Sequence, residues 1–127
     1  MRDAYIPSVT SERDVAALLP LPEVTFHVLV ALADGERHGY AILQDVEART
    51  GGAVRLSAGT LYRAIHRMLE QGLVVETDQR PARGQDDERR RYYRITVLGA
   101  AAVRAESARL SRLVELARAK GLAPRRS

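Results

Sequence analysis

The sequence predicts a mainly α-helical fold with a small β-hairpin and a long C-terminal helix. Apolar residues recur at helical spacing through most of the chain, and two short β-branched runs flank an arginine-rich segment. The last quarter of the chain is one uninterrupted amphipathic pattern. With 127 residues, 46% of them hydrophobic and 28% charged, the chain has the size and balance of one globular domain.

The first part of the chain predicts three short helices. Residues 11–14 resemble a capping box and begin an N-terminal helix over residues 11–19, which Pro20 ends. A second helix has Pro22 in its first turn and runs to about Ala33, and residues 34–37 are interpreted as a turn. A third helix begins near Gly39 and ends at residues 50–52.

A fourth helix, over residues 57–72, carries the clearest functional signal. Ser57 is a favourable N-cap, and Gly72 is a favourable residue for the end of a helix. At 100° per residue the helix separates into an apolar stripe and a polar face. The stripe contains Leu61, Ile65, Met68 and Leu69, and the polar face contains Gly59, Thr60, Arg63, His66, Arg67 and Glu70. Such a helix can pack on a core and present side chains to a DNA groove.

After Gly72 the pattern changes to extended chain. Residues 73–77 and 92–96 are rich in β-branched and aromatic residues and predict a hairpin, with a long tip at about residues 79–90. A hairpin that follows a helix of this kind predicts a winged helix-turn-helix. We expect this domain to occupy residues 1–95.

The remaining residues, 96–127, predict a long helix and a basic tail. The helix begins at the N-cap Thr96, runs to about Lys120, and would be roughly 36 Å long. Its apolar side extends beyond the surface that so small a domain can cover, so we expect dimerisation through it, against the N-terminal helix of a partner. A helix folded back on its own domain is the alternative. The expected interface residues are Val103, Leu110, Leu113, Val114 and Ala117.

The net charge of +4 is unevenly distributed. Residues 1–79 hold seven arginines against eleven acids, residues 80–95 six arginines against three acids, and residues 96–127 seven bases against two acids. Basic charge concentrated in the hairpin and the last helix suits a protein that meets DNA phosphates there. A solvated surface with biased residue usage is the alternative interpretation, since nineteen of the twenty bases are arginine.

Several classes of function are excluded by composition. The chain has no cysteine, and His27, His38 and His66 are scattered without the spacing of a metal site, so we expect neither a metal nor a cofactor. No arrangement of serine, histidine and acid, and no isolated carboxylate pair, suggests an enzyme. The sequence shows neither a membrane span nor a secretory signal, and we expect a cytoplasmic protein.

Four sequence blocks, in register between about residues 21 and 99, resemble the PadR family of bacterial transcriptional regulators in its short form with a single C-terminal helix. The blocks are His-Gly-Tyr-Ala-Ile at 38–42, Gly-Thr-Leu-Tyr at 59–62, Glu-Gln-Gly-Leu-Val at 70–74, and Arg-Tyr-Tyr-Arg-Ile-Thr-Val-Leu-Gly at 91–99. The resemblance implies a winged helix-turn-helix, a homodimer formed through the terminal helix, and repression through an operator of double-stranded DNA with two-fold symmetry.

Roles on DNA can be assigned to the fourth helix as hypotheses. Ser57 and Thr60 lie at its N-terminal end, where free N–H groups favour a phosphate oxygen, and Gly59 allows a close approach of the backbone. Arg63 and Arg67 lie one turn apart on the polar face and are expected to contact base edges, because the guanidinium fork suits the O6 and N7 acceptors of guanine.

Three tyrosines and the arginines of the hairpin tip are assigned either DNA contact or packing. Tyr62 either contacts a phosphate or packs against the hairpin, with DNA contact preferred, whereas Tyr40 and Tyr93 are interpreted as packing residues. Four arginines of the tip are expected to follow the DNA backbone or the minor groove: Arg80, Arg83, Arg89 and Arg90.

The alternative function is a winged-helix module that binds another protein without reading DNA sequence. The sequence leaves open whether a small-molecule effector binds at the dimer interface. Some members of the PadR family bind aromatic compounds there, but this chain has no tryptophan and only Phe26 as phenylalanine, so the stacking surface is thin.

Overall fold

The computed structural model describes residues 11–77 and 91–125, in which the chain forms five helices and three short strands. In chain order these are α1 (Glu12–Ala16), α2 (Glu23–Ala31), β1 (Arg37–His38), α3 (Gly39–Arg49), α4 (Ala58–Gln71), β2 (Val74–Glu76), β3 (Tyr92–Ile95) and α5 (Val97–Ala119). The predicted class, mainly helical with a small antiparallel sheet and a long terminal helix, is confirmed.

Helix α1 is shorter than the helix over residues 11–19 that the sequence predicts. Its cap is as expected, since the Ser11 hydroxyl accepts a hydrogen bond from the Asp14 N–H at 3.1 Å. The helix nevertheless ends at Ala16. After Ala16 the chain tightens into a turn in which the Leu18 and Leu19 N–H groups bond the Val15 and Ala16 carbonyl oxygens. Pro20 follows and has no N–H with which to continue the helical pattern.

The predicted hairpin is present as β2 and β3, and a third strand, β1, which was not predicted, pairs with β3. The strand order is β1-β3-β2, and both pairs are antiparallel. Arg37, interpreted from the sequence as part of a turn, pairs with Tyr93, and His38 pairs with Tyr92. A strand of two residues gives no alternating pattern, so only its partner far along the chain defines it.

The core lies where α2, α3, α4 and the sheet meet. Its fully buried side chains include Leu29, Leu32, Ile42, Leu61, Ile65, Met68 and Leu73. Helix α5 enters the same core through Ala102, which is fully buried. The first half of α5 is therefore part of the winged-helix core, and it also packs against α1 of the same chain.

Thr96 joins the end of α4 to the start of α5. Its hydroxyl lies 2.6 Å from the Gly72 carbonyl oxygen and 3.0 Å from that of Leu73, and it accepts a hydrogen bond from the Gly99 N–H. A Cβ at Gly99 would lie 2.2 Å from the Leu73 carbonyl oxygen. Because α5 and the end of α4 touch without room for a methyl group, their relative position is fixed.

A buried carboxylate provides a second attachment of α5. Glu106 is 3% exposed and accepts two hydrogen bonds from the Arg109 guanidinium, both at 2.8 Å. These bonds hold the pKa of Glu106 below its usual value against the opposing effect of burial, and a bond from the Leu21 backbone N–H adds to the lowering. Glu106 thus ties α5 to the segment that leads into α2.

Candidate nucleic-acid interface

Helix α4 is fixed at both ends and along one face. The Ser57 hydroxyl accepts a hydrogen bond from the Thr60 N–H at 3.1 Å, and Gly72 ends the helix with a φ of 79°, a left-handed conformation that suits glycine. The buried face consists of Leu61, Ala64, Ile65 and Met68. Burial of this face, beside which Leu69 is half-buried, determines which face of α4 remains outside.

The exposed face of α4 is the polar face that the sequence predicts. Gly59, Arg63, His66, Arg67 and Glu70 are all exposed. Together with Tyr62 they line an open depression of about 560 Å³ on the surface. We call this surface, from Gly59 to Glu70, the α4 face.

Most charged side chains of the α4 face have no internal partner. Within residues 11–77 and 91–125, His66, Arg67 and Glu70 make neither a hydrogen bond nor an ion pair. The Arg63 guanidinium makes one long contact, 3.5 Å from the Thr60 hydroxyl oxygen, and lies over Gly59. These groups can accept an external ligand without breaking strong internal bonds.

The first turn of α4 is more occupied than the sequence suggests. The Ser57 hydroxyl caps the helix and also donates to the Thr60 hydroxyl oxygen at 3.0 Å. Both side chains, which the sequence analysis assigned to phosphate contact, are therefore engaged with each other. Their position at the start of the helix is as predicted.

Tyr62 packs inside the domain as well as lining the α4 face. Its hydroxyl reaches the start of α3, where a Cβ on Gly39 would lie only 2.1 Å from the Tyr62 oxygen. Its ring is half-buried against the core. This packing is against α3 rather than the hairpin, and the DNA contact predicted for Tyr62 stays a prediction.

The interpretation of Tyr40 as a packing residue is wrong, whereas the same interpretation of Tyr93 is confirmed. Tyr40 is 58% exposed in the first turn of α3, and Tyr93 is buried on β3. Tyr40 follows Gly39, and it is Gly39 that the Tyr62 hydroxyl approaches. Its helical position carried no sequence signal that separated an exposed from a buried aromatic residue.

The four tip arginines, Arg80, Arg83, Arg89 and Arg90, lie outside the described residues. The base of the hairpin carries two arginines that the sequence analysis did not single out. Arg91 lies 3.2 Å from Glu76, and Arg94 lies 3.9 Å from Glu36. The available signal was position, directly before the predicted strand for Arg91 and within it for Arg94, but sequence does not reveal which face of a strand points outward.

The apolar side of α5 divides into two parts. Val103, one of the expected interface residues, packs against the core of its own chain, and Ala117 is half-buried. Leu110, Leu113 and Val114 are exposed. Leu116, which the sequence analysis did not include, is exposed too, at 67%. We call these four exposed residues the α5 stripe.

Other kinds of site find no support in the described part of the chain. Residues 11–77 and 91–125 hold no group of three or more histidine or acidic side chains placed to bind a metal ion. Among the same residues, none of the helices combines the length and the apolar character needed to cross a membrane.

Comparison with known proteins agrees with this geometry. The model of the transcriptional regulator PadR-like family matches residues 28–105, which is more than half of the chain. Transcriptional regulator Rv3488 of Mycobacterium tuberculosis is 41% identical over 80 residues, covering 63% of this chain and 68% of the relative.

Solved structures share the fold. A PadR family transcription regulator from Clostridium difficile has a TM-score of 0.63 at 20% identity, over 76% of this chain and 96% of the other. Bacillus subtilis PadR in complex with operator DNA has a TM-score of 0.56 at 18% identity, over 66% of this chain and 47% of the other. From the family match and its relatives, the chain belongs to the PadR-like family of transcriptional regulators.

Proposed function

We propose that this regulator binds double-stranded DNA as a homodimer, with α4 in the major groove, and represses transcription from a two-fold symmetric operator. The observation that carries the proposal is the α4 face. It combines two exposed arginines with a rigid, capped helix whose opposite face is wholly packed. A helix held in this way can present side chains to base edges with little loss of conformational entropy on binding.

Arg63 and Arg67 are the proposed sequence-reading residues. They lie one turn apart and are exposed, and Arg67 has no partner within the described residues. Arginine donates two parallel hydrogen bonds to O6 and N7 of guanine, a pairing that other bases do not offer. The start of α4 near Gly59 would then approach a phosphate, since the backbone N–H groups there carry partial positive charge.

Contact with the DNA backbone is assigned to the tip arginines Arg80, Arg83, Arg89 and Arg90. Their support is the excess of positive charge in residues 80–95. Phosphate contacts add affinity for any sequence and release counterions, so they make binding strongly salt-dependent. The solved complex of Bacillus subtilis PadR with operator DNA supports a DNA ligand, because that protein shares the fold.

The α5 stripe supports the homodimer. Helix α5 has 23 residues and is therefore roughly 34 Å long, and its second half carries four exposed apolar side chains. A second copy is the simplest cover for them, because a two-fold axis brings the same stripe of both chains together. Such a dimer presents two α4 helices to successive major grooves, about 34 Å apart, and so requires a symmetric operator.

Repression follows from occupancy, because a dimer that covers its operator excludes the polymerase from the same DNA. We place this action in the cytoplasm. An effector at the dimer interface would act by changing the spacing of the two α4 helices. The Thr96 junction supports such coupling, because it holds the end of α4 against the start of α5.

The proposed DNA contacts are tested by equilibrium binding to the duplex upstream of the chain's own gene and to a shuffled duplex. The wild-type chain is expected to prefer its own sequence and to weaken steeply with salt. Arg63→Ala should reduce the preference, each lost guanine pairing being worth about 1–3 kcal/mol, whereas Arg83→Ala should weaken binding to both duplexes alike. If both variants bind both duplexes as the wild type does, the assignment of the α4 face is wrong.

The alternative, docking of another protein by the winged helix, gives a different result in the same assay. Failure of the wild-type chain to bind either duplex at low salt would favour this alternative.

Dimerisation is tested separately by sedimentation of Leu113→Asp. This variant should be a monomer that binds a single operator half-site, and a second half-site in the duplex should no longer increase its affinity. A monomeric wild-type chain would contradict the dimer.

A further inference from the structure

A cleft between α4 and the sheet lies next to the α4 face. It has a volume of about 280 Å³. His66 and Leu69 of α4 form one wall, Glu76 at the end of β2 and Arg91 directly before β3 form the other, and the buried Tyr93 lies behind. The ion pair between Glu76 and Arg91 distinguishes this cleft from the open depression on α4.

The cleft and the α4 face are one continuous surface. Tyr62 and His66 line both of them. A duplex whose major groove received the α4 face would therefore have its flanking sugar-phosphate chain close to the cleft. Among the described residues that line the cleft, the cation on the sheet side is Arg91.

The position of Arg91 follows from strand geometry. Side chains alternate between the two faces of a strand, so Arg91 shares the face of the buried Tyr93, which looks toward α4. Arg94 belongs to the opposite face, where it lies 3.9 Å from Glu36. Two arginines of the same strand region thus point to different sides, and only Arg91 lines the cleft.

The ion pair of Arg91 leaves most of its guanidinium available. Its Nη1 lies 3.2 Å from each of the two Glu76 carboxylate oxygens. Within the described residues its other nitrogens have no partner, although arginine carries five N–H donors. Both side chains are well exposed, and an exposed pair of this kind contributes little to stability. Exchange of Glu76 for another oxyanion therefore costs little.

We propose that the cleft receives a backbone phosphate of the DNA beside the groove that α4 reads. Arg91 contacts this phosphate and, in doing so, gives up its ion pair with Glu76. This inference rests on the proposed function. Arginine suits a phosphate as well as a carboxylate, because both offer two oxygens to its planar fork. Glu76 then acts against binding, both by holding Arg91 and by repelling the phosphate.

The test is equilibrium binding of the full chain to its own upstream duplex and to a shuffled duplex, over a range of salt concentrations. Arg91→Ala should weaken binding to both duplexes alike, by about tenfold, and should lower the salt dependence by about one released counterion. Glu76→Gln should tighten binding to both duplexes by a few-fold. An increase in affinity on removal of the partner is not expected if the pair only holds the sheet together.

Arg94→Ala is the matched control. Arg94 lies in β3 and Arg91 directly before it, so the variant removes the same charge at a similar exposure, 57% against 51% for Arg91, but from the opposite face. We expect it to change affinity less than about threefold, the scale of a distant, screened charge. Arg91→Lys keeps the charge and should retain most of the affinity, which guards against a folding defect in Arg91→Ala.

The proposed phosphate contact of Arg91 would be overturned if Arg91→Ala and Arg94→Ala bind DNA equally well. It would also be overturned if Glu76→Gln binds DNA more weakly than the wild type. Either result leaves the proposed function intact as long as the wild-type chain binds its own duplex. Absence of any binding by the wild-type chain is the separate outcome that refutes DNA binding itself.

Discussion

Replacement of Gly99 by alanine should destabilise the domain strongly, although alanine is the better helix former. Gly99 is the third residue of α5, and an added Cβ would lie 2.2 Å from the Leu73 carbonyl oxygen. That is about 1 Å short of a close C···O contact of about 3.3 Å. The Ile95 side chain, 3.0 Å from the same Cβ, leaves no space for the Cβ in a second direction. The helix must therefore move away from the start of β2.

The cost can be worked from the bonds that this movement disturbs. Overpacking costs about 1–3 kcal/mol. The Leu73 carbonyl accepts hydrogen bonds from the Thr96 N–H at 3.1 Å and the Thr96 hydroxyl at 3.0 Å. Loss of one of these bonds adds about 1 kcal/mol. Against this, replacement of a helical glycine by alanine gains about 1 kcal/mol. We expect a net loss of about 2 kcal/mol in the free energy of unfolding.

Urea denaturation of the Gly99→Ala and Gly59→Ala variants measures this difference. Gly59 is the matched control because it is also near the start of a helix, and the nearest atom to its added Cβ is a terminal guanidinium nitrogen of Arg63 at 3.4 Å. That flexible side chain can move aside, so Gly59→Ala should stay within about 1 kcal/mol of the wild type, on the stabilising side. Equal stability of Gly99→Ala and the wild type would refute the tight junction.

Two further predictions concern single contacts of the fold. Gly39→Ala should destabilise the domain by about 1–3 kcal/mol, because the added Cβ meets the Tyr62 hydroxyl. Tyr62→Phe in the same chain should recover part of this loss, and urea denaturation of the single and the double variant measures it. Arg109 lowers the pKa of Glu106 in the folded chain. The Glu106 carboxylate therefore contributes its full stabilisation above the ordinary glutamate pKa of about 4.3, and this stabilisation is lost as the pH falls through the lower pKa of the folded state. Glu106→Gln should therefore be less stable than the wild type at neutral pH, with the gap closing in acid, and a gap that stays constant with pH would contradict this.

Much of the fold could be predicted because strong local signals agree with the tertiary structure. The cap at Ser57, the stop at Gly72 and the helical spacing of Leu61, Ile65 and Met68 define α4 completely. The family assignment likewise confirms a transcriptional regulator rather than an enzyme. Strand β1 could not be predicted, because its two residues are held only by pairing with β3, more than fifty positions away.

The parts of the site that escaped prediction depend on three-dimensional neighbours. The spacing of Glu106 on α5 looks like that of a surface acid, yet the fold places it against the Leu21 backbone. Tyr40 could lie on either side of α3 until the position of α4 was known. The facing of Arg91 toward the cleft follows from the register of β3, which sequence does not specify.

Whether α4 binds DNA can be measured from amide NMR spectra recorded while the full chain is titrated with its upstream duplex. We expect the largest shifts on the α4 face from Gly59 to Glu70 and at Arg91, while Leu113 and Leu116 of the α5 stripe stay unchanged. Shifts confined to α5, with the α4 face unaffected at saturating DNA, would contradict this expectation.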